Sequence, residues 1–411
     1  MWVKKNIPLC VTLDGSAGAV FQGDATKEGA LDPFFGKAAL VYMDPPYLTG
    51  EDFHCRVKIG RQGYLKGKPE MVLPAYTDKF DSMESYMVFL KGLCETAYQL
   101  LKEDGSLYLH LDYRAGAYAK IMLDEVFGRE AFTNEIIWVY ETGGRSTRHF
   151  SRKHDVILYY RKSPKAYFDI AQVSIPRKDN RHNHMKKQMD ETGRISYSIN
   201  TNGKTYTYHE DEPVYPSDVW ADVSHLQQKD PQRTGYDTQK PMKLMERIIR
   251  SSSKKGDWVA DLCFGSGTAL VCAAEEERRF LGMDLSAPAL ATAQKRLLGK
   301  AYSLTRDCDM TDCRLDAQIS PGLGLYEITL ADFTFDIDAP CEIHPLDLVD
   351  QWAVGIVKDG VFKKAEWSAR TKQTPDLETT LRVPMVSGAV GVEVIDVLMR
   401  KHVYIWDACA S

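Results

Sequence analysis

Asp44-Pro45-Pro46-Tyr47 holds the groups needed to methylate an exocyclic amine of a nucleobase. Such an amine is a poor nucleophile, because its lone pair is delocalised into the ring. The Asp44 carboxylate and the Pro45 carbonyl can each accept one amine hydrogen, drawing the nitrogen toward tetrahedral geometry so that its lone pair can attack a methyl sulfonium. Tyr47 offers a face on which an extruded base can stack. Pro46 stiffens the turn between them. The same letters also describe a rigid turn with a packing aromatic, so the tetrapeptide acquires meaning from the rest of the chain. It follows the apolar run Ala38-Ala39-Leu40-Val41-Tyr42-Met43, which reads as a buried parallel strand. The motif is thereby placed at a strand's carboxyl end, where open α/β sheets bind ligands.

A second constellation lies far downstream. Asp257 to Asp261 reads as a strand running through Leu262, Cys263 and Phe264 into a tight Gly265-Ser266-Gly267 turn, with Thr268 behind it. Ala269 to Glu277 then reads as a helix, and Phe280 to Met283 as a second strand ending at Asp284. Glycines in such a turn let the backbone approach a nucleotide-like ligand, and Asp284, 17 residues after Gly267, can hold ribose hydroxyls. No Gly-Lys-Ser/Thr follows, and the third glycine of a dinucleotide fingerprint is missing. Joined to an amine-methylating motif, the unit fits S-adenosylmethionine better than NAD or ATP.

With both motifs in view, the chain resembles the β-class amino-methyltransferases of DNA, among them site-specific adenine methyltransferases of restriction-modification systems. The resemblance runs over roughly residues 20 to 300. Tyr42 to Gly50 looks like the family's catalytic strand and its Thr-Gly continuation, Gly105 to Asp112 like the next strand, and Asn134 to Trp138 like the one after. Tyr236-Asp237-Thr238-Gln239-Lys240-Pro241 resembles the segment that closes over the methionine part of the cofactor. Two letters depart from the family pattern: Cys263 precedes Phe264, leaving open which of them packs on the cofactor, and Asp237 stands where Pro is more usual.

The resemblance implies a Rossmann-like methyltransferase core, a doubly wound and mostly parallel sheet, with S-adenosylmethionine as cofactor. Gln239, Lys240 and Pro241 would cover the methionine moiety, Asp261 would order the turn, and Asp24 would lie near the cofactor adenine. For Asp24 a turn-capping role is an equal reading. Double-stranded DNA is the implied partner, with a homodimer and a cognate restriction endonuclease as further partners that such systems use.

The divisions expected are a catalytic half over 1–142, a target-recognition region over 143–215, a cofactor half over 216–306 and an acidic β-rich or α+β module over 307–411. Charge supports the middle boundary. The chain carries −5 overall, but residues 145–208 hold 14 Lys and Arg against 5 Asp and Glu, a balance of +9. Residues 301–411 hold 10 against 18, a balance of −8. Clustered cations attract phosphates and release counterions, which makes Arg177, Lys178, Lys186 and Lys187 the candidate DNA contacts. Phe150, Tyr167, Phe168, Tyr197, Tyr206 and Tyr208 interleave with the cations, as a base-stacking surface would require. In the acidic module, Lys358-Asp359-Gly360 between two alternating runs reads as a β-hairpin.

Composition narrows the classes. With 411 residues and 44% of them hydrophobic, the chain can build a large core. No apolar run reaches the roughly 18 residues of a membrane span, and no apolar stretch follows Lys4 and Lys5 as in a signal peptide. The nine cysteines are scattered without zinc spacing, so no metal is expected and a reducing cytoplasm is the setting; the resemblance implies a bacterial or phage-encoded protein associated with the nucleoid. Arg181-His182-Asn183-His184 spells a nuclease class name without the separated residues such a site needs. Pro340-Cys341 imitates the nucleophile of cytosine C5 methylation, but amine methylation forms no covalent enzyme intermediate. The reading is methyl transfer to N6 of adenine in DNA. N4 of cytosine is the alternative by the same chemistry, and a silent DNA-binding subunit is the non-enzymatic one.

Overall fold

In the computed structural model, which describes residues 1–27, 29–140, 146–176, 185–337 and 343–407, six parallel strands form the centre of one large sheet. Their order is Tyr302–Thr305, Gly18–Gln22, Arg279–Asp284, Trp258–Asp261, Ala38–Met43 and Leu101–Leu111. Ala38–Met43 is buried along its whole length. Leu40 and Tyr42 face one hydrophobic cluster, while Val41 and Met43 face the other, as the two-residue repeat of a strand covered on both faces demands.

The two faces are covered by different helices. Met83–Leu100 buries Tyr86, Leu90, Leu93, Cys94, Ala97 and Leu100, a three-and-four spacing that makes one apolar stripe. A reciprocal pair of hydrogen bonds between Ser82 and Ser85 starts it. With Gly116–Phe127 it packs on the Val41 face. Met242–Ser252, Thr268–Glu275 and Ala287–Arg296 pack on the Leu40 face. The core is thus doubly wound, as expected. Among the described residues no helix is long and apolar enough to cross a membrane.

Two expected boundaries move. His154–Arg161 falls inside the stretch assigned to target recognition, yet it is a core strand paired antiparallel with both Leu101–Leu111 and Phe132–Val139. Its residues Asp155 to Tyr160 are all buried. The cations flanking it, Arg152, Lys153, Arg161 and Lys162, raised the charge count and disguised a buried apolar run. What stands apart from the large sheet is a three-stranded antiparallel sheet of Lys186–Met189, Ile195–Thr201 and Lys204–His209.

The acidic module is likewise no appendage. Val361–Ala369 pairs with Leu9–Thr12, which pairs with Tyr302–Thr305, so the strands Val349–Lys358, Val361–Ala369, Ala389–Asp396 and Lys401–Trp406 continue the core sheet. The predicted hairpin is present: Lys358 faces Val361, and Asp359 and Gly360 have φ of +52° and +74°, as a two-residue turn of this hand requires. Within the described residues of this module, Arg314–Pro321, Leu325–Thr334 and Thr380–Pro384 form a separate small sheet. A buried ion pair, Lys364 Nζ to Glu393 Oε1 at 2.5 Å, and a bond from Gln294 Nε2 to the same Glu393 oxygen at 2.9 Å tie this half to the helix Ala287–Arg296. Local composition could not show that join, since it is made by a four-residue strand at the other end of the chain.

Candidate active site

The carboxyl ends of Ala38–Met43 and Trp258–Asp261 lie side by side, Tyr42 opposite Asp261, and a cavity of about 380 Å³ opens above them. Its lining includes Asp44, Pro46, Lys240, Asp261, Gly265 and Asp284. The two motifs, far apart in sequence, therefore share one chamber.

At the catalytic motif, Asp44 Oδ1 accepts a hydrogen bond from the Tyr47 hydroxyl, and Oδ2 accepts one from Lys240 Nζ at 2.5 Å. Lys240 Nζ also lies 5.3 Å from the centre of the Tyr47 ring. The Pro46 carbonyl accepts from the Tyr86 hydroxyl at 2.9 Å, which fixes the turn. Asp78, buried and 31 residues beyond Tyr47, takes N–H bonds from Tyr47 at 3.0 Å, Leu48 at 2.7 Å and Thr49 at 3.1 Å, and the Thr49 hydroxyl at 2.7 Å. These bonds hold Leu48 at φ +60° and set the direction of the chain after Tyr47.

Behind the motif runs a buried polar chain. Tyr42 Oη meets His110 Nδ1 at 2.9 Å, His110 Nε2 meets Asp155 Oδ2 at 3.1 Å, and the Tyr140 hydroxyl donates to Asp155 Oδ1 at 2.9 Å. The His110 ring lies 6.0 Å from that of Tyr47. Burial pushes the Asp155 carboxyl up, but the hydrogen bond and charge of His110, with Lys240 and Tyr140, hold it below the ordinary range. Neither Asp78 nor this chain stood out in the sequence. Asp78 carries no spacing signature, and His110 reads as one more strand residue until its partners are in place.

At the cofactor motif, Asp284 Oδ2 accepts from the Gly265 N–H and Oδ1 from the Ser286 N–H, both at 2.8 Å. Burial pushes this carboxyl up to about 6 despite those bonds. Asp261 Oδ1 accepts from the Cys263 N–H at 3.0 Å, so it orders the turn. Burial first, then the charges of Asp44 and Asp284, drive Asp261 well above the usual carboxylate range, with Lys240 acting against them. Gly267 has φ +77°, and a Cβ there would stand 2.8 Å from the Ala293 Cβ, so its glycine is required twice over. Arg296, overlooked in the sequence, donates to the Ser266 carbonyl at 2.8 Å and to Thr268 Oγ1 at 2.9 Å, clamping the turn from below.

Other predicted residues take more local parts. Both Cys263 and Phe264 line the cavity; Phe264 packs against the strand at Gly282, where an added Cβ would meet its ring at 2.9 Å. Asp24 lines the cavity but its Oδ1 accepts the Thr26 N–H at 3.0 Å and hydroxyl at 2.7 Å, the turn-capping alternative. The Gln239 amide is used by its own loop, accepting from Thr234 N–H at 3.0 Å and donating to the Gln232 carbonyl at 2.7 Å. Pro241 caps the helix Met242–Ser252. Tyr76, Phe80, Phe89 and Tyr236 complete the apolar wall.

Of the candidate DNA contacts, Lys186 and Lys187 lie exposed on the strand Lys186–Met189, with Tyr206 and Tyr208 exposed in the same small sheet. They stand apart from the chamber residues. Arg177 and Lys178 lie outside the described residues, as do Arg181 to His184 and Pro340-Cys341. Tyr167 and Phe168 pack elsewhere, against Lys254 and Tyr159.

The family described as DNA methylase, covering N6 and N4 enzymes, matches residues 38–295. The chain is 28% identical over 260 residues to the type II methyltransferase M.HpaI of Haemophilus parainfluenzae, which covers 63% of this chain and 67% of that one. It is 27% identical over 312 residues to M.EcaI of Enterobacter cloacae, covering 64% and 66%. The chain thus spans about two thirds of the length of both relatives. Among solved structures, the PvuII DNA methyltransferase (cytosine-N4-specific) aligns with a TM-score of 0.45 at 16% identity, over 70% of this chain and 88% of that one. The matched segment runs from the strand that ends just before Asp44 to the helix beyond Asp284, and the chain belongs to the N6/N4 family of DNA methylases, which use S-adenosylmethionine.

Proposed function

We propose that this protein methylates N6 of an adenine turned out of double-stranded DNA. The observation that carries the reading is the meeting of Asp44 with the Gly265–Asp284 turn in one cavity. The cavity's size suits a nucleoside-sized ligand. Asp44 and Asp284, with Lys240 among them, suit a ligand that carries a sulfonium, while Asp261, held well above the usual carboxylate range, orders the turn. Asp284 would hold the ribose hydroxyls, the Gly265 turn would admit the nucleoside, and Lys240 and Pro241 would lie over the methionine end.

S-adenosylmethionine supplies, when bound, an already activated methyl group. The chain's own task is then alignment rather than strong base catalysis. Asp44 accepts one hydrogen of the target amine and the Pro45 carbonyl the other. Tyr47 stacks on the base, with its turn held by Asp78 and Tyr86. An Asp at the head of the motif favours adenine N6, since Ser is commoner there in enzymes acting on cytosine N4. The small sheet carrying Lys186, Lys187, Tyr206 and Tyr208 would contact the DNA backbone and bases.

Nucleoside mass spectrometry of DNA from cells making this chain alone should show N6-methyladenine, with single-molecule sequencing giving the site. N4-methylcytosine in its place would keep the fold and chemistry and overturn the substrate. Unmodified DNA would reject the reading.

A further inference from the structure

We infer that Phe150 is a wedge that enters the DNA stack where the target base leaves it. The inference rests on the DNA reading above and deepens it.

Phe150 is 97% exposed, an unusual state for a ring that sits on an ordered turn. Ser146 Oγ accepts the N–H groups of Arg148 and His149, each at 3.3 Å, and Ser151 Oγ accepts the Ser146 N–H at 3.3 Å. Just beyond, Arg152 donates to the Tyr113 hydroxyl at 2.7 Å and lies 4.1 Å from that ring's centre, with Arg114 at 4.9 Å from the same centre. The turn is therefore anchored at its base and offers the ring to solvent.

Its position ties it to the polar chain behind the motif. The Tyr140 N–H donates to the Lys153 carbonyl at 2.9 Å, and the Tyr140 hydroxyl reaches Asp155, which His110 links to Tyr42 behind the motif. Phe150 is three residues from Lys153, a reach of at most roughly 10 Å. It thus stands on the turn that leads into the strand His154–Arg161, whose Asp155 belongs to the polar chain behind the motif, and on a different element from the small basic sheet.

The chemistry around the ring selects its partner. Arg148, Arg152 and Lys153 flank it, so the surface it meets is polyanionic, and an exposed flat apolar ring needs flat apolar faces to cover it. Stacked bases between phosphates offer both. Extruding a base leaves such a gap, and apolar side chains inserted between base steps are a recurrent way to fill one.

The test uses two duplexes carrying the mapped site, one with the target base paired and one with it opposite an abasic position. Phe150→Ala should methylate the paired duplex about tenfold or more slowly. On the abasic duplex, whose target is already unpaired, it should stay within about twofold of the unaltered chain. Phe150→Trp should keep both rates, and thermal unfolding should be unchanged because the ring makes no core contact. Equal loss on both duplexes, or loss on neither, would overturn the wedge while leaving the methyltransferase reading intact. If the unaltered chain methylated neither duplex, the DNA reading itself would fall and the wedge with it.

Discussion

The Lys240 ammonium stands 2.5 Å from Asp44 Oδ2 and 5.3 Å from the centre of the Tyr47 ring. A cation therefore already donates to the acceptor that the proposed mechanism reserves for the target amine, while the Tyr47 hydroxyl takes the other oxygen. A target amine reaching Asp44 would share this oxygen with Lys240 or displace it.

Asp44→Ala should abolish turnover in a tritiated-methyl transfer assay yet bind S-adenosylmethionine by calorimetry, because the Gly265 turn and Asp284 lie on other strands. Tyr47→Phe keeps the ring and should retain substantial activity. Tyr47→Ala loses stacking of about 1–3 kcal/mol and should impair base capture. Full methylation by Asp44→Ala would end the mechanism.

Lys240 offers a sharper test. Lys240→Met frees Asp44 Oδ2 but removes the cation that opposes burial and repulsion at Asp261. The maximal rate should fall about tenfold or more, and the acid limb of its pH profile should move upward, because a carboxylate without a nearby cation holds its proton more tightly. A rate rise with an unmoved profile would show that the Lys240–Asp44 pair only obstructs.

Asp284 should govern cofactor affinity. Losing hydrogen bonds to a charged group costs on the order of 1.5–3 kcal/mol, about ten- to a hundredfold in Kd, and calorimetry on Asp284→Ala reads it directly. Its raised value, about 6 against an ordinary 3.8, means the folded protein holds this proton more tightly than the unfolded chain. The associated stability is present below about 4 and is lost as pH rises through about 6. Cofactor binding has the opposite sign, since the ionised group accepts the hydroxyls. Affinity should weaken as pH falls through 6 in the unaltered chain and stay flat in Asp284→Ala.

For the basic sheet, replacing Lys186 and Lys187 by Ala should weaken DNA binding and flatten the plot of log affinity against log salt by roughly 0.9 for each phosphate no longer neutralised. S-adenosylmethionine binding should not change. An unaltered slope would mark these lysines as a solvated face.

The C-terminal strands bear on stability. Glu393→Ala leaves Lys364 buried without its partner, a loss of about 3–5 kcal/mol, which a thermal melt would register. A cut near residue 311 should leave an aggregating remainder, because Leu9–Thr12 would lose the partner strand Val361–Ala369. A cut chain that melts cooperatively and binds cofactor would restore the separable module that composition suggested.

What could be read from the sequence was whatever is local. The strand end at Asp44 to Tyr47 and the turn at Asp261 to Thr268 stand out within a dozen residues, because a strand end and a tight turn have composition of their own. Asp78, His110 and Arg296 do not. Each acts by reaching a backbone or side chain that only the folded sheet brings near, and none sits in a spacing that names its partner. The same holds for Leu9–Thr12, four unremarkable residues that join the two halves of the large sheet.

The strand Trp2–Lys4 pairs only with Lys401–Trp406 among the described strands, and Lys401 Nζ donates to the carbonyls of Ile7 and Pro8. On the ribosome this orders events. Asp44 emerges well before Asp261 and Asp284, and its chamber lacks a floor until they follow, a delay of roughly tens of seconds at ordinary rates of synthesis. Trp2–Lys4 waits longer still, since its partner strand lies roughly 400 residues further along. A nascent chain can therefore present Asp44 to Tyr47 before the chamber around them exists.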